Sequence, residues 1–575
     1  MSSMTEDYRV TELTVEALVD LETPKGVRLS PARDRVIYTL SASGRKGEHP
    51  VSSIWVADVD KEHSARQLTS GQFHDDLPQW CPNGNSIAFV SDRAKAGDSS
   101  AIYILSMNGG EAHPVTKADN KRIIDKFAWS PNGSFIAFLG VDEKTAEQEH
   151  KDKEKDDADV YGENWEFSRL RLLYVSTREV STLYAKDAHV SMLAWNQTST
   201  EIAYVLQETP DLNSPAYHGV KFECMTISNK SIKQLGALYS ISKDHGYKLE
   251  GYGEHNDLGD EIRRSFDGKI TVKVLYGLQD ILKDIDGKTL YSSYQEILSW
   301  DVVYDKENKP AVALTTSTTS SPTEIYSKHL GKIVELSQHD QSITKLNLGV
   351  SECLYATAED GTGLDSVFLR PAKAPDDQPL PTALLVHGGP YSRINIRFDT
   401  PNYNWGPMLV AAGYAVLCPN YRGGSSHGEE YASYARGQMG TADYADVISL
   451  LKAGISKGWI DESRVIIIGW SQGGFLSCLA LTRPSVFRFK GSICGAGVTD
   501  WDMMTMTSDA TSFEAELAGQ APWEADRNDM KTRYGSAIWH MKDVPQHMRA
   551  PVLILHGSED VRVPTTQAIA FHRRV

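Results

Sequence analysis

A phrase recurs along the first 350 residues: a turn carrying Pro, Asn or Gly, then a short apolar strand. Leu29-Ser30-Pro31 precedes Val36-Ile37-Tyr38, and Trp80-Cys81-Pro82-Asn83-Gly84 precedes Ile87-Ala88-Phe89-Val90. Trp129-Ser130-Pro131-Asn132-Gly133 precedes Phe135-Ile136-Ala137-Phe138, and Trp195-Asn196 precedes Ile202-Ala203-Tyr204-Val205. The steps Pro31 to Pro82 and Pro82 to Pro131 are 51 and 49 residues. Trp129 to Trp195 is 66, lengthened by a charged run from Lys144 to Asp159 that reads as an exposed insertion. Strands and Asn-Gly turns repeating near fifty residues predict a β-propeller, because one strand group cannot bury its own face and must stack on neighbours. Trp300-Asp301-Val302-Val303-Tyr304 starts a later, fainter repeat. Six or seven blades are expected, against a range of about four to eight. A plain β-sandwich is the weaker alternative.

The pattern changes near residue 360. Thr382-Ala383-Leu384-Leu385-Val386, Tyr414-Ala415-Val416-Leu417, Val465-Ile466-Ile467-Ile468 and Pro551-Val552-Leu553-Ile554-Leu555 are apolar runs separated by helical stretches. Such runs predict a mostly parallel sheet covered on both faces, with its chemistry beyond the carboxyl ends of the strands. The fold class is therefore multidomain: an all-β propeller over 1–355 and an α/β-hydrolase over 356–575. The 575 residues are ample for both. A net charge of −17 removes the basic footprint of a nucleic-acid binder. No secretory signal and no membrane-length apolar run is visible. The six cysteines are scattered, without C-x-x-C spacing. A cytoplasmic protein with reduced thiols, no metal and no cofactor is expected.

Gly469-Trp470-Ser471-Gln472-Gly473-Gly474 lies between a strand and a helix, the context of a nucleophile elbow, and makes Ser471 the candidate nucleophile. His387-Gly388-Gly389-Pro390 follows an earlier strand, where a glycine pair brings backbone N–H groups to a developing oxyanion. Gly389 and Gln472 are the expected donors. Past the late strand, in His556-Gly557-Ser558-Glu559-Asp560-Val561-Arg562-Val563-Pro564, Asp560 is the expected orienting carboxylate, with Glu559 its local competitor.

These motifs, together with Asn420-Tyr421-Arg422-Gly423 and Pro522-Trp523-Glu524, resemble the prolyl oligopeptidase family of serine peptidases, in particular its acylaminoacyl-peptidase-like branch. The resemblance covers the C-terminal domain densely; the propeller half matches only through its repeat. It implies a propeller capping the hydrolase, an active site at their interface, and hydrolysis of short peptides that release N-acylated amino acids through an acyl-enzyme. It also implies a substrate-binding role for Arg562, with an ion pair to a loop acid as the even alternative. The dipeptidyl-peptidases of the same family form the nearest alternative. They hold a free amino terminus with a Glu pair in the propeller; here the adjacent Glu429-Glu430 lies in the hydrolase half, while Glu163 and Glu166 could act. A small-molecule esterase and a non-catalytic scaffold are the further alternatives. Partners are short peptides, without nucleic acid or membrane; a homo-oligomer is compatible.

In this family the triad histidine follows the acid by roughly thirty residues, on the order Ser, acid, His. Only fifteen residues follow Asp560, and their one histidine, His572, reads as an exposed helix residue. His387 and His556 belong to turn motifs. The expectation is a hydrolase truncated at its C-terminus and inactive or weakly active.

Overall fold

The computed structural model describes residues 8–44, 47, 49–156, 160, 165–210, 218–239, 262–398, 405–525 and 531–575. Among them, six four-stranded antiparallel sheets follow one another along the chain, over 22–67, 75–114, 124–184, 189–239, 262–293 and 300–335. Each opens with the same hairpin. A residue with positive φ closes it: Arg33, Gly84, Gly133, Ser199, Gly268 and Asn308. In each, its N–H reaches back to the carbonyl three residues earlier, as from Gly84 to Cys81 at 2.8 Å and from Asn308 to Asp305 at 3.0 Å. The Pro-Asn-Gly phrase thus marks one structural position, which Arg33 and Ser199 occupy without glycine's freedom.

The repeated tryptophans link neighbouring sheets. Trp80 Nε1 donates to Arg28 O across to the first sheet, and Trp195 Nε1 to Ala128 O across to the third, both at 3.1 Å. The ring closes by packing of the first sheet on the sixth, around Val27, Leu29, Val303 and Ile325. Val27 N–H donates to Ser299 Oγ (2.9 Å) and Leu29 N–H to Asp301 Oδ2 (2.8 Å) across that seam. The charged insertion carries an exposed helix, Ala146–Glu154, started by a Thr145/Gln148 capping box.

The C-terminal half is a seven-stranded sheet of β1 (Gly349–Thr357), β2 (Gly363–Pro371), β3 (Leu380–Val386), β4 (Ala415–Pro419), β5 (Ile460–Trp470), β6 (Ser492–Gly495) and β7 (Val552–Leu555). Their order is β1-β2-β4-β3-β5-β6-β7; β1–β2 and β2–β4 are antiparallel and the other pairs parallel. Its helices are α2 (Gly406–Ala411), α3 (Ala442–Ser456), α4 (Gln472–Leu481), α5 (Trp501–Thr507), α6 (Thr511–Ala518) and α7 (Thr566–Arg574), after an N-terminal α1 (Val15–Val19). One face packs Val447, Leu451, Phe475, Leu479 and Trp501 on the sheet; the other packs Val410 and Ile394.

The expected division at 355/356 falls inside β1. The N-terminal segment also departs from it: Val10, Leu13, Leu18 and Leu21 join the hydrolase core on the α2 face, and Val10 N–H donates to Ala411 O at 2.8 Å. Apolar residues spaced along 10–21 have no propeller strand to pair with, so they bury where the sheet face is open. The fifth propeller sheet is clamped to the hydrolase by the buried Arg393–Asp280 pair, by Arg393 Nη1 to Gly277 O (2.7 Å) and by Gly277 N–H to Ser426 O (2.9 Å).

Candidate active site

The parallel register aligns the strand ends. Val386 pairs with Gly469, Trp470 with Gly495, and Gly495 with Leu555. The residues that follow, His387, Ser471, Ala496 and His556, therefore emerge along one carboxyl edge. Ser471 has φ 56° and ψ −118°, a strained conformation for a side-chain-bearing residue. Two constraints hold it: Ser471 N–H donates to Gly495 O (2.8 Å), and Phe475 N–H to Ser471 O (2.9 Å) as α4 begins. The turn fits because residue 473 lacks a Cβ, which would stand 2.0 Å from Val386 O. Ser471, the expected nucleophile, thus sits in a strained conformation on a sharp turn between a strand and a helix.

Gly388 lies against the elbow; a Cβ there would stand 3.4 Å from Ser471 Cβ. Gly389 follows it. Gln472 is the first residue of α4, where a backbone N–H has no partner within the helix. Both expected donors therefore lie on segments flanking Ser471. The Gln472 side chain is engaged elsewhere, with Nε2 2.9 Å from Met439 Sδ.

Asp560 sits on the loop after β7, two strands from the elbow. Its Oδ1 accepts from Val563 N–H (2.9 Å) and Arg562 N–H (3.1 Å), which fixes the carboxylate and leaves Oδ2 without a hydrogen bond from any described residue. Glu559 is exposed beside it. His556 Nε2 donates to Val563 O at 2.6 Å, so this imidazole folds the acid loop. His387 Nδ1 donates to Gly388 O (2.7 Å), its ring stacks on Tyr421, and burial pushes its pKa down to about 4. His572 is exposed on α7. Among the described residues, no histidine is hydrogen-bonded to the Ser471 hydroxyl.

Arg562 is paired. Its Nε donates to Asp509 Oδ1 at 2.6 Å and Nη2 to Asp509 Oδ2 at 3.4 Å, and this bonding holds its pKa up. The loop-acid alternative is the arrangement present. Glu166 is paired with Arg122; Glu163 lies outside the described residues; Glu429 and Glu430 are exposed in the hydrolase half. Among the described residues, no three His, Cys, Asp or Glu side chains group to hold a metal ion, and no helix is long and apolar enough to cross a membrane. The six cysteines are free.

Sequence reasoning missed α5 and α6, which lie over this edge. Ser508 Oγ donates to Arg562 O (2.8 Å) and Asp509 N–H to Val561 O (3.1 Å), tying the α5–α6 turn to the acid loop. Further along, Phe513 meets the ring of Tyr391, two residues past Gly389, at 6.2 Å. Between these anchors stands Glu514, which is 4% exposed. Its signal in the sequence was a glutamate three and four residues before Leu517 and Ala518, on the apolar face of a helix.

Residues 401–575 match the model of the prolyl oligopeptidase family. An uncharacterized peptidase, YuxL, of Bacillus subtilis is 24% identical, with 97% of this chain and 92% of that protein covered. The acylamino-acid-releasing enzyme of Sus scrofa is 27% identical across 37% of this chain and 28% of its own length. Dipeptidyl aminopeptidase BIII of Pseudoxanthomonas mexicana is 28% identical across 94% of this chain and 80% of its own. The uncomplexed acylaminoacyl peptidase of Pyrococcus horikoshii superposes with a TM-score of 0.76 at 18% identity, over 98% of this chain and 90% of that one, which shows a shared fold.

Proposed function

From a chain that carries a prolyl oligopeptidase family domain, related by sequence to acylaminoacyl peptidases, we propose a serine peptidase that releases N-acylated amino acids from short peptides. Ser471 Oγ attacks the carbonyl of the acylated residue. The oxyanion meets the N–H groups of Gly389 and Gln472, the amine leaves, and water releases the acyl-enzyme. Asp560 orients the base through Oδ2, which accepts no hydrogen bond from a described residue and stands 3.8 Å from His556 Nε2. Arg562, held by Asp509, borders the substrate. The observation that carries this reading is the strained backbone of Ser471, which costs about 1–3 kcal/mol and is otherwise unaccounted for.

The catalytic unit is assigned to 349–575 with residues 10–21 docked on it, the propeller to the residues between, and the location to the cytoplasm, where six free cysteines persist. Ser471→Ala should abolish both hydrolysis of acetyl-Ala p-nitroanilide and labelling by a fluorophosphonate; labelling that persists places the nucleophile elsewhere. Because no described histidine is bonded to the Ser471 hydroxyl, turnover by the 575-residue chain is expected to be weak. Steady-state kinetics on that chain checks this.

The second reading is a dipeptidyl-peptidase, favoured by the long match to dipeptidyl aminopeptidase BIII. The pairing of Glu166 with Arg122 weighs against it, since that carboxylate is already engaged. Preference for Ala-Ala over acetyl-Ala chromogenic substrates would select it.

A further inference from the structure

The hairpin joining the second and third strands of the fifth propeller sheet, Ile270–Tyr276 and Gln279–Asp284, ends against the hydrolase. Leu278 at its tip is buried in the hydrolase core. Gly277 N–H donates to Ser426 O, and Arg393 Nη1 donates to Gly277 O. Beneath the tip lies a charged pair distinct from Arg393 and Asp280. His427 Nε2 stands 3.0 Å from Asp365 Oδ2. A Cβ on residue 277 would stand 3.2 Å from that carboxylate oxygen and 4.0 Å from that ring nitrogen, so the tip covers the pair. With the tip seated, Asp365 is 5% exposed.

The surroundings of His427 suit an imidazolium. Nε2 faces the carboxylate, and Nδ1 faces Ser426 Oγ (3.3 Å) and Ser425 O (3.5 Å). A carboxylate and a carbonyl only accept, and only the charged ring has a donor for each. The charges also balance in that form: Asp280 answers Arg393, and Asp365 answers His427. The remaining titratable groups facing the pair are Tyr431, stacked on the His427 ring at 4.5 Å, Tyr355, opposite Asp365 in the β1–β2 register, and Cys353. Burial pushes all three up, so they stay neutral where a histidine titrates. Behind Tyr431, Asp446 is paired with Arg422; Glu429 and Glu430, on the His427 segment itself, are exposed.

We infer that His427 and Asp365 form a proton-operated latch between propeller and hydrolase: the hairpin tip seats over the pair while His427 is charged and lifts when His427 is neutral. Loss of the proton leaves a buried carboxylate without its cation, and lifting the tip returns that carboxylate to water. Burial lowers the pKa of His427, but the hydrogen bond and charge of Asp365 outweigh it and hold the pKa above the ordinary 6.5. The latch therefore holds fully below pH 6.5 and weakens as pH rises through the folded value. Its socket is built into the oxyanion loop. Ser425 N–H donates to Ser392 O (3.0 Å) and Ile394 N–H to Asn420 Oδ1 (2.7 Å), so release of the tip loosens a segment that starts three residues past Gly389.

Hydrogen exchange reads the latch without any turnover. The full chain is exchanged at about pH 6 and about pH 8.5, and uptake by peptides covering residues 274–281 is corrected for the intrinsic effect of pH. Protection should fall about tenfold between the two conditions. His427→Gln, neutral throughout, should show the lower protection at both. Asp365→Asn, with no carboxylate to uncover, should make protection independent of pH. The hairpin at 305–308 of the sixth sheet is the reference and should stay constant in all three proteins. Equal wild-type protection at the two pH values overturns the latch, and so does a fall that survives in either folded variant. A fall shared by the reference hairpin assigns the effect to global unfolding and overturns it as well.

Discussion

The buried Glu514 carries a consequence for stability. Its folded pKa of about 8 lies above the ordinary 4.5 of a glutamate. Between those values the unfolded chain releases a proton that the folded chain keeps, so this residue makes stability fall as pH rises from 4.5 to 8. Glu514→Gln should remove that contribution. Its melting temperature should match the wild type near pH 4.5 and exceed it by pH 8; thermal melts across this range check the divergence. Ser471 was legible in the sequence because its surroundings are local: two glycines, a preceding strand and a following helix suffice to define an elbow. Arg562 was legible only as a choice between two roles, because its partner Asp509 lies 53 residues upstream. Glu514 was not legible as a buried acid. A glutamate on a helix is ordinarily solvated, and what surrounds this one depends on where two distant loops meet.

At the scale of elements, the repeat phrase marked each hairpin but not the seam that closes the ring. The phrase is local and recurs, whereas the seam joins residues about 270 apart in sequence, as between Leu29 and Asp301. Asp301 is buried and binds the N–H groups of Leu29 and Val302 through its two oxygens. Asp301→Ala leaves both without that acceptor, at about 1–3 kcal/mol each. Asp301→Asn keeps one acceptor. The expected order of urea midpoints is wild type, Asn, Ala. The strands of the hydrolase were readable from apolar runs because a parallel sheet buries both faces. Its first strand, β1, was not picked out in the sequence, since it pairs antiparallel at the sheet edge and is only partly buried.

For the whole molecule, the two halves meet among the described residues through ion pairs and through backbone bonds such as Glu296 N–H to Ile396 O and Ile396 N–H to Tyr294 O. Arg393 and Asp280 form a buried ion pair between the hydrolase and the fifth propeller sheet, reinforced by Arg397 with Glu296 at 2.9 Å. Removing one partner leaves a buried charge uncompensated, at about 3–5 kcal/mol. Asp280→Ala should therefore separate the calorimetric unfolding into two transitions and speed proteolysis within residues 336–348, the connection between the halves; a single unshifted transition would count against the pair as a clamp. Nothing in the composition announced this contact, because an aspartate and an arginine 113 positions apart have no local signature.

The first segment of the chain also sets an order of events in time. Val10 completes its backbone bond with Ala411, and Leu13, Leu18 and Leu21 bury among Leu278 and residues beyond 340. A ribosome adding about 5–20 residues per second needs on the order of 20–80 s to cover that interval. Throughout it the six sheets can be assembled while the leading apolar segment waits for its surface. Residues 10–21 are thus made long before most of the surface that they cover.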